Sequence, residues 1–188
     1  MASDVSICNG ALIKLGAARI TSLNQSTVEA KLCKERYDEN RRDLLRSHPW
    51  NFATVWGVPA ELVTTESHRY TYVYQLPSDC LRVVETSIPT DNWRVEGEST
   101  KILTADIPIE KVRYIKDVTD ANMMDPNFRE ALSCKIAVDL CYSLVQSATL
   151  RQSLQDEFKQ TLRTARSFNG QEGAPPRVYA DSWLNSRR

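Results

Sequence analysis

Residues 125–146 read DPNFREALSCKIAVDLCYSLVQ, and this stretch decides the fold class. Phe128, Ala131, Leu132, Ile136, Leu140, Cys141 and Leu144 recur at helical spacing, in a stripe wide enough for a central core helix. Pro126 suits the first helical position, where its missing N–H is no loss. A helix over 126–146 is therefore expected. After a break near Ser147 to Thr149, Leu150, Leu154, Phe158, Leu162 and Ala165 form a second stripe. It predicts a helix over 149–169, closed by Gly170.

Working back to the start, Ser3 can cap a helix over 3–15, with Val5, Cys8, Leu12 and Leu15 on one face and Gly16 just past its end. Ser26 with Glu29 three residues on has the form of a capping box and opens a helix over 26–47. Ala30, Cys33, Tyr37 and Leu44 line its apolar stripe. Lys31, Lys34, Glu35, Asp38, Glu39, Arg41 and Arg42 occupy the rest of its surface. His48-Pro49 stops it, because the residue before proline is pushed out of the helical region. The two helices read as an antiparallel pair joined by a short turn, with Ile20 and Leu23 as anchors.

Between the helical pairs the pattern changes. Short β-branched and aromatic runs at Val55–Val58, Tyr70–Leu76, Leu81–Thr86, Trp93–Glu96, Lys101–Thr104 and Glu110–Ile115 alternate with turn residues. They predict one small antiparallel sheet, inserted at about 53–118, with Glu96-Gly97-Glu98-Ser99 as a hairpin loop. Trp50, Phe52, Trp56, Tyr70, Tyr72 and Tyr74 are expected in that sheet's core or in a subunit contact. Past Gly170 the chain loses all periodicity yet keeps apolar residues. The expected fold is α+β, mainly α: an antiparallel helical bundle with an inserted β-module in a domain of residues 1–169, and an extended C-terminal arm over 170–188.

The chain has 188 residues, 41% of them hydrophobic and 26% charged, which is the composition of a globular domain. No apolar run nears the ~20 residues of a membrane span, and the start MASDVSICNG lacks a basic, then apolar, leader. Neither membrane nor secreted placement is expected. The 24 basic and 24 acidic residues cancel, so no net field draws the chain to DNA. Cys8, Cys33, Cys80, Cys134 and Cys141 show no C-x-x-C spacing and read as buried thiols. Only His48 and His68 could serve as imidazole bases, and neither sits in a catalytic motif. The acids Glu29, Asp38, Asp156 and Glu157 interleave with Lys and Arg as on any solvated helix face. Arg41, Arg42 and Arg46, and Arg187 with Arg188, lack the interleaved aromatics of a nucleic-acid platform. No phosphate-binding glycine motif occurs. No catalytic residue, cofactor or metal site is expected.

Ordered motifs then suggest a family. Ala11-Leu12 and Leu15-Gly16 precede Ile20, Ser22 and Leu23, and His48-Pro49-Trp50-Asn51-Phe52-Ala53 follows. Next come Leu76-Pro77-Ser78-Asp79-Cys80-Leu81-Arg82, then Val95-Glu96-Gly97 with Ile102-Leu103-Thr104. Arg113-Tyr114-Ile115 with Asp117-Val118, and Ser182-Trp183-Leu184 with Arg187, complete the series. In this order, over nearly the whole chain, they resemble the phage tail tubular protein A family. The linker Asn122-Met123-Met124 departs from the family pattern.

The resemblance implies a head-to-tail adaptor in the virion neck, below the portal vertex, after assembly in the host cytoplasm. Twelve copies would form a ring around the DNA channel, joining the portal protein to the next tail (nozzle) protein, with no membrane partner. Duplex DNA would pass through the lumen without specific binding, retained before ejection. The expected portal-binding residues are Pro175, Pro176, Val178, Tyr179, Trp183, Leu184, Arg187 and Arg188. A virion-associated peptidoglycan hydrolase and a different neck or tail-completion ring are the alternatives.

Overall fold

The structure, a computed structural model, describes residues 2–62, 70–89, 92–96 and 102–173. Its helices are α1 (Asp4–Leu15), α2 (Val28–Ser47), α3 (Pro126–Leu144) and α4 (Ala148–Gln171). The strands are β1 (Thr54–Gly57), β2 (Ala60–Glu61), β3 (Tyr72–Gln75), β4 (Cys80–Thr86), β5 (Trp93–Glu96), β6 (Ile102–Ala105) and β7 (Val112–Lys116).

The wide stripe of residues 125–146 does what its breadth demands. Phe128, Ala131, Leu132, Ile136, Ala137, Leu140 and Cys141 are all buried, and α3 packs against α1, α2 and α4. Asp125 starts it, accepting from the Asn127 and Phe128 amides, with Pro126 at the first position. Gly10 lets α1 approach closely, since a Cβ there would lie 2.5 Å from the Ser133 hydroxyl. Along α2 and α3, Arg36 and Asn40 reach Asp139 while Lys135 pairs with Asp43.

Several expectations need correction. The cap of α2 is Thr27, which accepts from Ala30 N–H, so Ser26 and Glu29 make no capping box. The helix starts one residue late for that motif, and Glu29 acts only as an acid in the first turn. A reciprocal box occurs at α1 instead, between Ser3 and Ser6. Helices α1 and α2 touch each other little and pack mainly on α3. Gly170 does not close α4, which continues to Gln171 because its last turn is fastened from outside, as described below. The 169/170 boundary therefore cuts through a helix.

Among the described residues the strands form two antiparallel sheets rather than one, in the orders β1-β7-β4 and β2-β3-β6-β5. Glu96 pairs with Ile102, as the expected hairpin requires, while its loop residues lie outside the described ones. Strand β7 shows why two sheets arise. Its period of two turns Val112 and Tyr114 to the apolar cluster between the sheets and Ile115 to the helical core. One strand thus closes two cores. Trp50 and Phe52 belong to the helical core, not to a sheet, and Trp56 is exposed. Met124 of the divergent linker is buried in the helical core.

Candidate functional site

Where α2 ends, three aromatic rings lock the chain's turn into the sheets. Trp50 is 1% exposed, donates its indole N–H to the Leu44 carbonyl at 3.0 Å, and meets Phe128 edge-on at 5.1 Å. Phe52 packs edge-on against the same Phe128 ring at 5.1 Å. Leu44 is among the last carbonyls of α2, and its oxygen accepts both the indole N–H and the Ser47 hydroxyl, the latter at 2.8 Å. The chain then passes through a 3-10 turn, Asn51–Ala53, into β1.

The end of α4 is fastened to this turn through one residue. Asn169 accepts from the Asn51 amide N–H at 2.7 Å through its side chain and from the Asn51 side chain at 2.8 Å through its carbonyl. Its own amide group lies 3.1 Å from His48 Nε2 and donates to the Pro49 carbonyl at 3.4 Å. Every one of these partners lies in the His48-Pro49-Trp50-Asn51 motif. Burial, then the nearby Arg166 and Arg82 cations, hold the His48 imidazole below its ordinary pKa of 6.5. The neutral ring can then accept from Asn169.

On the other side of the junction, Arg41 is 1% exposed and joins α2 to the end of β7. It pairs with Asp117, reaches Asp38 at 3.1 Å and donates to the Val118 carbonyl at 2.7 Å. Asp117 also takes Arg42 Nε at 2.9 Å. Burial opposes the Arg41 charge, but Asp117 and Asp38 outweigh it and raise its pKa. The helical and sheet parts are thereby clamped at both ends of the junction.

Elsewhere, Lys14 lies 2.8 Å from Glu130 and 2.6 Å from Glu157, beside the Cys134 thiol. Glu130, Cys134 and Glu157 could together hold a metal ion, but the Lys14 ammonium already occupies the cation position among them. Burial penalises that ammonium, yet the two carboxylates hold its pKa above the usual lysine value. All five cysteines are buried and free. The Cys8 thiol is pushed up by its hydrogen bond with Cys33 and by burial.

The expected binding residues Pro175, Pro176, Val178, Tyr179, Trp183, Leu184, Arg187 and Arg188 lie outside the described residues, as does His68. Their last described neighbour, Gly173, follows the fastened end of α4. Arg41 was expected on the solvated face and is buried instead. The α2 stripe itself held the signal: Tyr37, Arg41 and Leu44 are spaced i, i+4, i+7, so residue 41 must face inward. No described helix is long and apolar enough to cross a membrane. The chain matches no protein-family model and no curated protein.

Proposed function

We propose that this chain is a structural virion protein, the head-to-tail adaptor of a tailed bacteriophage. Twelve copies form a ring below the portal, and the next tail protein attaches beneath it. The helical bundle is the rigid wall, the β-module extends from it, and residues 170–188 reach the portal. The supporting observation is the Asn169–Asn51 fastening, which gives the final segment a fixed departure point. Fixing one end of a binding segment lowers the ordering cost of the rest. Pro175 and Pro176 stiffen the segment, and Tyr179 and Trp183 are the residue types that anchor interfaces. Mixed charge on the helix faces suits a conduit through which DNA slides.

The test is attachment to purified portal. A chain ending before Gly170 should lose attachment, and Trp183→Ala in the full chain should weaken it by about 2 kcal/mol. The truncation also removes the last turn of α4, so the point substitution carries the argument. Unchanged attachment by Trp183→Ala and by the truncated chain would refute it.

A further inference from the structure

Helices α1 and α3 approach closely at Gly10 and Ser133, and beside that contact they leave a groove of ≈ 360 Å³. Ser6, Ile7 and Gly10 line it from α1. Pro126, Arg129 and Ser133 line it from α3, spaced i, i+3 and i+7 on one helix face. Ser133 is 3% exposed, and among the described residues its buried Oγ makes no hydrogen bond. A serine inside a helix commonly turns its hydroxyl back to the carbonyl four residues earlier, here that of Arg129, and Ser133 does not. Buried polar groups are as a rule paired, so an orphan hydroxyl among the residues of a groove marks where an outside partner belongs.

The charge beside the hydroxyl decides what that partner is. Arg129 is half-buried, donates through one terminal nitrogen to the Ala121 carbonyl at 3.3 Å, and forms no ion pair among the described residues. The remaining N–H donors of a guanidinium form a planar fork that matches the two oxygens of a carboxylate. Glu130, the carboxylate at the rim, is engaged by Lys14 at 2.8 Å. The Ser6 hydroxyl is also spent, since it donates to the Ser3 carbonyl and accepts from the Ser3 amide. The groove thus offers donors and calls for an acceptor, while Ile7 and Pro126 give it apolar walls. We propose that it binds a carboxylate on a short aliphatic stem, the oxygens held by the Arg129 guanidinium and the Ser133 hydroxyl. A glutamate side chain of another protein and a free short diacid share this chemistry.

The site is independent of the adaptor reading, so its test needs neither portal nor ring. Amide NMR spectra of the full chain are followed through titrations with sodium glutarate and, at equal ionic strength, with sodium chloride and sodium phosphate. Glutarate should move the Gly10 and Ser133 amides saturably, and the two inorganic salts should not. Arg129→Gln and Ser133→Ala should each weaken glutarate binding by about ten-fold, the scale of one hydrogen bond to a charged group. Unmoved α2 and α4 amides report intact folding in both variants. A capped peptide with one central glutamate separates the sources: tighter binding than glutarate assigns the carboxylate to a protein side chain, and weaker binding assigns it to a free acid. Shifts that never saturate, an equal response to phosphate, or unchanged affinity in either variant would overturn the proposal.

Discussion

Replacing Asp117 by Asn should expose how the two halves of the molecule are joined. The substitution keeps the side chain's shape and removes its charge, leaving the Arg41 guanidinium 1% exposed with a weakened partner set. Removing one member of a buried ion pair costs about 3–5 kcal/mol, because the other charge stays buried. Two contacts soften the loss here: Asp38 at 3.1 Å, itself 70% exposed, and the Val118 carbonyl at 2.7 Å. The lost Arg42 contact adds little, since Arg42 is 59% exposed and solvent-screened pairs are worth about 0–1 kcal/mol. The expected cost is therefore near the lower bound, about 3 kcal/mol. Urea unfolding followed by far-UV circular dichroism measures it from the midpoint at constant slope. Arg41→Met removes the more deeply buried charge and should cost less than Asp117→Asn, because the Asp117 carboxylate left behind keeps Arg42 at 2.9 Å as its partner. A cost below about 1 kcal/mol for Asp117→Asn would class the pair with screened surface bridges and refute the reasoning.

Other outcomes follow from the same structure. Gly10→Ala, normally stabilising inside a helix by about 0.5–1 kcal/mol, should destabilise here, and Ser133→Ala in the same chain should restore stability; a stabilised single variant would contradict the close approach. The depressed His48 pKa means the unfolded chain binds the proton more readily, so stability falls as pH drops from about 6.5 toward the lowered native value. His48→Gln should remove that part of the pH dependence, and superimposable stability–pH curves for both proteins would argue against it. Purified protein should not retain duplex DNA on a filter at physiological salt; tight retention would count against a passive conduit.

The helices were legible because their apolar stripes are long and regular, and α3 was recognisable as central from the breadth of its stripe alone. Their ends were less so. Ser26 and Thr27 can both cap, and which one does depends on a one-residue offset that periodicity does not resolve. The far end of α4 is set by Asn169 meeting Asn51, a contact between residues 118 positions apart that no local pattern announces. The division of strands into two sheets was hidden for a similar reason. β7 alternates as any strand does, and only the packing of Tyr114 and Ile115 on opposite sides shows that each face closes a different core. Arg41 was misplaced because its charge outweighed its position on the stripe.

The central position of α3 also bears on synthesis. Helices α1 and α2 leave the ribosome first, and α3 begins at Pro126, 79 residues after α2 ends at Ser47. At roughly 5–20 residues per second, that interval lasts about 4–16 s. Throughout it the inner faces of α1 and α2 have no partner helix to cover them, and the β-strands emerge beside them. The nascent chain therefore passes through a window in which chaperones, or other nascent copies on the same message, compete for surfaces that α3 later covers.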